Sequence, residues 1–285
     1  MNLIPFTKMS AAGNDFIIID NRQNILDAKK AKECAQNICR RKLSVGADGL
    51  ILIEDSKKAD FKWRFFNADG SEAEMCGNGG RCIARLAHRK GIAPLKLTFE
   101  TLAGIIKAEV LRESVKLQLP LPLNLTCDLK LLVEEKNFLV NSITVGVPHA
   151  VIFVEDLQNC QVVELGKRIR FSKHFKPAGT NVNFVSIKND SAIAIRTYER
   201  GVEDETLACG TGAVASSLIA NEKKGVKSPV SVLTRGGEAL TVHFTKENQT
   251  VHFTKENQTL KEVFLEGSAN LIYEGELYPE TLNMA

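Results

Sequence analysis

The chain has 285 residues, 44% of them hydrophobic and 25% charged, which is the composition of a globular protein long enough for two domains with a core each. Its 37 basic residues exceed its 34 acidic ones by a net charge of +3, too little to argue for nucleic acid or an acidic membrane surface. The expected partner is therefore a small molecule or a second copy of the chain.

Met1 to Ser10 carries one lysine and no apolar core of signal-peptide length, and no run approaches a membrane span, so the expectation is a cytoplasmic protein with reduced thiols. Its cysteines, Cys34, Cys39, Cys76, Cys82, Cys127, Cys160 and Cys209, are odd in number and irregularly spaced. That fits neither a disulfide framework nor paired zinc knuckles.

In chain order, Phe16–Asp20 reads as a buried strand, and Asp27 caps a helix over Ala28 to Arg41 with Ala31, Ala35 and Ile38 on one face. Cys34 and Cys39 on that helix read as small buried side chains. Leu50–Glu54 is a second strand. Phe61, Trp63 and Phe65 alternate with Lys62 and Arg64 in a third, which runs into the turn Asn67-Ala68-Asp69-Gly70. Next comes Met75-Cys76-Gly77-Asn78-Gly79-Gly80-Arg81, whose glycines let backbone N–H groups turn toward a bound group. A helix from Arg81 to Lys90 adds its positive end at the same place, and both effects favour a thiolate.

Strands over Leu95–Glu100, Ile105–Leu111 and Val115–Leu119 follow, and Pro120 and Pro122 then mark a domain boundary. This gives an N-terminal domain over 1–119, with a C-terminal strand at about 270–285 returning to it, and a second domain over 120–269. The second half repeats the style, with strands at Phe138–Thr144, Ala150–Val154, Asn181–Ile187 and Ala192–Tyr198 and a helix over Val162–Phe171. An acidic loop, Glu199 to Glu205, leads to Ala208-Cys209-Gly210-Thr211-Gly212-Ala213 and a helix over Val214–Lys224.

Cys76 and Cys209 are 133 positions apart, as are Thr101-Leu-Ala-Gly104 and Thr234-Arg-Gly-Gly237. Phe16–Asp20 pairs in turn with Val151–Asp156. These coincidences imply an internal duplication, with two glycine loops facing one another across a cleft of pseudo-two-fold symmetry. A separate exact repeat, Val242–Thr250 followed by Val251–Thr259, has an odd period, so one copy is expected to lengthen a surface hairpin.

Metal binding fits poorly, since neither glycine-loop cysteine has a second Cys or His at ligand spacing. Covalent catalysis would need one thiol and gives no reason for two, and a redox pair usually comes as Cys-x-x-Cys. Two opposed thiols suit proton transfer at a stereogenic carbon, one thiolate removing the Cα proton while the other thiol supplies a proton to the opposite face.

The residues that carry a family resemblance are Lys8-Met9 with Gly13-Asn14-Asp15-Phe16, Phe66–Glu72, Cys76-Gly77-Asn78-Gly79, Pro148-His149, Asn181, Glu199-Arg200-Gly201 and Ala208–Gly212. Over nearly its whole length the chain resembles diaminopimelate epimerase. The resemblance implies an α+β fold of two pseudo-symmetric domains, each a curved and mostly antiparallel sheet wrapped around a central helix. It implies cofactor-independent epimerisation of LL-diaminopimelate to the meso form, with no metal and with a homodimer as the assembly. Cys76 and Cys209 would be the acid/base pair. Gly77, Asn78, Gly210 and Thr211 would supply backbone donors, Asn14, Asn67, Asn181, Glu199 and Arg200 would hold the substrate's carboxylates and amino groups, and His149 and Glu199 would tune the cysteines.

Three places depart from the family pattern: Ser10-Ala11 stands for His-Gly, Val147 for an asparagine before Pro-His, and Val202–Glu205 for a shorter, less acidic loop. Val147 replaces an amide with an apolar side chain, which leaves open a racemase of the same fold acting on glutamate or aspartate. A binder of amino-acid carboxylates that does no chemistry is a third reading, against which both thiols argue.

Overall fold

The structure is a computed structural model that describes residues 3–133, 136–246, 253–254, 257–258 and 260–282. The chain divides into two compact units, Met1–Leu117 with Gly267–Ala285, and Gln118–Glu266.

In the first unit, β1 (Ile4–Ala11) and β2 (Asn14–Asp20) form an antiparallel hairpin. Helix α1 (Ala28–Ile38) then crosses to β3 (Gly49–Glu54), which lies parallel to β2. Strand β4 (Phe61–Asn67) is antiparallel to β3, and the short β5 (Glu72–Ala73) folds back on it. After α2 (Gly77–Arg89), β6 (Lys96–Thr101) runs parallel to β4, and β7 (Gly104–Leu111) and β8 (Ser114–Gln118) continue antiparallel.

The second unit begins with the antiparallel strands β9 (Leu123–Val133), β10 (Lys136–Val145) and β11 (Val147–Phe153). Helix α3 (Val162–Arg170) leads to β12 (Asn181–Asn189), parallel to β11, and then to β13 (Ala192–Glu199), antiparallel to it. Strand β14 (Asp204–Thr206) folds back on β13 and precedes α4 (Gly210–Lys224). Strand β15 (Val230–Leu233) runs parallel to β13, and β16 (Ala239–Lys246) is antiparallel to β15. Strands β17 (Phe253–Thr254) and β18 (Asn257–Gln258) form a two-residue ladder before β19 (Leu260–Ser268), which pairs with β16. The chain closes with β20 (Asn270–Leu277) antiparallel to β1, and α5 (Pro279–Leu282).

The two units share one sequence of neighbours, antiparallel, parallel, antiparallel and parallel, each time with one helix before the third strand and one after the short return strand. The first residues of β2 and β11, and of α2 and α4, are each 133 positions apart. This corrects the matching of Phe16–Asp20 to Val151–Asp156. Phe16 lies beside Gly49 and His149 beside Asn181, so the counterpart of Phe16–Asp20 is His149–Phe153, two residues earlier. A slip of two keeps every side chain on its face of the sheet, which is why hydrophobic pattern alone did not detect it.

Each unit wraps its mixed, mostly antiparallel sheet around one helix, α2 against β1, β2, β3 and β7, and α4 against β10 to β13, β15 and β16. The unbroken apolar run of β2 follows from burial on both faces. Ile17 and Ile19 join the core beneath α1, while Phe16, with Ile51 and Trp63, lies against Gly79 of α2. Helix α4 is buried from Gly212 through Ala220 and is built from small and aliphatic residues, as a helix enclosed on all sides must be.

Both glycine-loop helices start earlier than the spacing suggested. The expected starts were Arg81 and Val214, and the observed ones are Gly77 and Gly210, with Cys76 and Cys209 as N-caps. The glycines belong to the first turn because the sheet is too close for side chains. A Cβ at Gly79 would lie 3.0 Å from Ile51 Cδ1, and one at Gly80 3.0 Å from Leu117 Cδ2. The acidic stretch Glu199–Glu205 is a tight hairpin rather than an open loop. Glu203 closes it, accepting hydrogen bonds from the Gly201 N–H and the Tyr198 hydroxyl and pairing with Arg170. Strands β1 and β9 had no counterpart in the sequence reading. The expected lengthening of a hairpin by the repeat concerns 247–252, 255–256 and 259, which lie outside the described residues.

Gly166 in α3 shows which of two opposing effects prevails. Alanine would add helix propensity of about 1 kcal/mol. Its Cβ, however, would sit 2.4 Å from Tyr198 Cβ and 2.7 Å from Cγ, atoms held by the β13 backbone. Overpacking of that kind costs about 1–3 kcal/mol or more. Gly166→Ala is expected to lower the urea unfolding midpoint with an unchanged m-value, and an unchanged or raised midpoint would contradict this packing.

Candidate active site

In the first unit, the Gly80 N–H donates to the Cys76 carbonyl at 2.8 Å and closes the first helical bond of α2. The earlier N–H groups of the turn have no helical partner, and those of Gly79 and Asn78 point at the Cys76 sulfur. Cys76 is half-buried. Burial raises its pKa, while the two N–H groups and the Arg81 guanidinium work in the opposite direction without cancelling it.

A directed chain of side chains runs away from this turn. The Arg81 guanidinium donates to Asn78 Oδ1 at 2.7 Å, Asn78 Nδ2 to Asn14 Oδ1 at 2.7 Å, and Asn14 Nδ2 to Asp48 Oδ2 at 2.8 Å. Guanidinium can only donate and carboxylate only accept, so both amides are fixed in orientation. Asp48 and Asp15 share Arg41, and Lys8 pairs with Asp15 at 2.8 Å. Burial opposes ionisation of Asp15, but the hydrogen bonds from Arg41 and Lys8 outweigh it and lower its pKa. Asn67, at the end of β4, is separate from this chain; its amide donates to Ser71 Oγ at 3.0 Å.

In the second unit the Ala213 N–H closes α4 on the Cys209 carbonyl at 2.9 Å, and the N–H groups of Thr211 and Gly212 point at the sulfur. The Thr211 hydroxyl lies 3.7 Å from it. Cys209 is buried, and burial together with the negative charge of Glu199 pushes its thiol up to about 12. Glu199 itself is raised by burial, against a 2.8 Å hydrogen bond from the Thr206 hydroxyl. The expectation that the glycine loops favour a thiolate is therefore corrected. Losing water outweighs the helix-end N–H groups at both cysteines.

Asn181 Oδ1 accepts the Arg200 backbone N–H at 2.7 Å, and the Arg200 guanidinium donates to the Ala178 carbonyl at 3.1 Å. His149 is buried next to Asn181 in the β11/β12 ladder, and burial and Arg200 bring its pKa down to about 3. Val147, at the start of β11, is the positional counterpart of Asn14, at the start of β2.

The structure thus joins Cys76, Asn78 and Asn14 in one unit, and Cys209, Thr211 and Glu199, with Asn181, Arg200 and His149, in the other. Asp48, Arg81, Asn183, Thr197 and Thr206 were not anticipated. Asn183 had a legible signal, a second amide two residues after Asn181 among the apolar residues that open β12. The positions of Asp48, directly before β3, and of Arg81, in α2, relative to Asn14 are set by tertiary folding and had none.

The architecture is shared with solved structures of low sequence identity. The chain superposes on a PhzF-family phenazine biosynthesis protein from Bacillus anthracis with a TM-score of 0.68 at 16% identity, covering 98% of this chain and 100% of that one. It superposes on a probable proline racemase from Agrobacterium radiobacter K84 with a TM-score of 0.66 at 14% identity, over 99% and 96% of the two chains. The diaminopimelate epimerase profile matches residues 6–119 and 141–261. A diaminopimelate epimerase from Aquifex aeolicus (strain VF5) is 46% identical over 97% of this chain and 99% of its own length. The chain belongs to the diaminopimelate epimerase family.

Because a thiol must ionise before it can be alkylated, the surroundings of the two sulfurs predict an order of labelling. With brief iodoacetamide treatment and peptide mass mapping, Cys76 is expected to be modified before Cys209. Both rates should rise with pH well into the alkaline range. Faster labelling of Cys209 would contradict the difference in burial and charge.

Proposed function

We propose that this protein converts LL-diaminopimelate to meso-diaminopimelate, a step of lysine and peptidoglycan-precursor synthesis, by two-base proton transfer at Cα without a cofactor. The observation that supports the reading most is the repeated first turn. At equivalent positions of two duplicated units, a cysteine caps a helix whose free N–H groups surround its sulfur, in a chain of this family.

An amino-acid Cα is a weak acid, so the reaction needs charge stabilisation beside the carboxylate as well as a base. The spare N–H groups of α2 and α4 suit that carboxylate, as do the Asn14 and Asn78 amides. Cys76, half-buried and beside Arg81, is the better thiolate. Cys209, buried beside Glu199, is the better thiol. Removal of the proton by one sulfur and delivery by the other inverts the centre and leaves the pair with its protonation exchanged. The reading requires one substrate carbon to be within reach of both sulfurs. A cytoplasmic location and a homodimer belong to the same proposal.

Incubation of the purified protein with LL-diaminopimelate and no added pyridoxal phosphate tests it. Wild type is expected to form the meso isomer, and Cys76→Ala and Cys209→Ala should each be slower by about 10²-fold or more. A single variant working at the wild-type rate would exclude the pair. Val147 favours a second reading, a broader or smaller substrate. Rates on glutamate and aspartate comparable to that on diaminopimelate would support that alternative, and activity confined to diaminopimelate would remove it.

A further inference from the structure

Strands β11 and β12 run in parallel, with His149 beside Asn181 and Asn183 two residues farther along β12. Asn183 is fully buried, and both the nitrogen and the oxygen of its amide are engaged. Its Nδ2 donates to the Ala150 carbonyl at 3.1 Å and faces His149 Nδ1 at 3.2 Å, while its Oδ1 accepts the Thr197 hydroxyl at 2.9 Å. A peptide carbonyl can only accept, so the NH2 group must be the side turned toward Ala150. The same NH2 then faces His149 Nδ1, which must accept. A neutral imidazole that accepts at Nδ1 carries its proton on Nε2.

His149 Nε2 is buried with no hydrogen-bond partner among the described residues. The ring therefore has one N–H to give and no free lone pair on which to take a proton. Among the described residues the charge that acts on it is that of Arg200, which follows β13, while Cys209, itself under the influence of Glu199, lies on the Oδ1 side of Asn183. A Cβ at Gly212 would lie 2.4 Å from Asn183 Oδ1 and 3.2 Å from the Cys209 sulfur, so amide and thiol flank the same point of the first turn of α4.

We propose that Asn183 is a positioning residue, holding His149 in the neutral Nε2–H tautomer so that His149 serves the cysteine reaction as a hydrogen-bond donor and never as the base that ionises a thiol. What the donor serves rests on the epimerase reading; the tautomer itself does not. With the Arg200 guanidinium as a second donor nearby, the acceptor it suits is an anionic oxygen such as an amino-acid carboxylate. A neutral donor stabilises that charge without giving up its proton.

The test is 15N NMR of histidine-labelled full-length protein, with His149 identified by loss of its signals in His149→Gln. The wild-type ring is expected to be protonated at Nε2, bare at Nδ1, and unchanged between about pH 5 and pH 8. A proton on Nδ1, or titration inside that window, overturns the proposal. Asn183→Asp places a carboxylate against Nδ1 and should move the proton there and bring the titration into the window. In that variant kcat should fall about tenfold or more with KM within about threefold. Persistence of the Nε2–H tautomer in Asn183→Asp also overturns the proposal. If the variant does not fold, the wild-type spectrum decides alone. Wild type with the expected tautomer but no turnover of LL-diaminopimelate would remove the epimerase reading and leave the tautomer standing.

Discussion

Everything at the two candidate centres depends on a helix that begins directly beneath a sulfur atom pressed into the protein. The first turn of a helix has N–H groups with no helical acceptor, and at Cys76 and Cys209 the thiol is placed to receive them. The turn can lie there only because Gly79 and Gly80 in one unit, and Gly212 in the other, have no side chain to hold the helix away. Burial and the helix end then act against each other at the sulfur. Burial prevails, which keeps the thiols protonated at rest and makes any ionisation dependent on what else is near.

The two units hold two copies of this arrangement in different surroundings. Around Cys76 the polar chain ends in a guanidinium and a carboxylate, Arg81 and Asp48, with two asparagines oriented between them. Around Cys209 the partners are a half-buried Glu199, the Thr211 hydroxyl and an asparagine that faces a neutral histidine. A negative charge disfavours the thiolate at Cys209, whereas a positive one favours it at Cys76.

Much of this was legible in the sequence. Strand β4 announced itself by the alternation of Phe61, Trp63 and Phe65, α1 by Asp27 and its apolar spacing, and the duplication by a constant offset of 133. The helix starts were not legible, because a glycine that weakens a helix by propensity is indispensable where a sheet lies 3 Å away, and sequence pattern carries no record of that distance. The thiol pKa was misread for a related reason. Helix ends and glycines are visible locally, whereas the water lost on burial belongs to the folded chain. Asp48 and Arg81 stayed hidden because the contacts that join them to Asn14 and Asn78 exist only after β2, β3 and α2 have packed.

The central claim is that one sulfur removes the Cα proton and the other delivers a different one from solvent. Its most direct measurement follows LL-diaminopimelate in D2O through the first turnovers of the wild-type protein, reading deuterium at Cα separately in product and in recovered substrate. Two-base transfer predicts deuterium in the meso product from the outset and protium in the remaining LL isomer. Protium carried into the product, or deuterium appearing equally in both isomers, would mean that a single group handles both faces and would contradict the account.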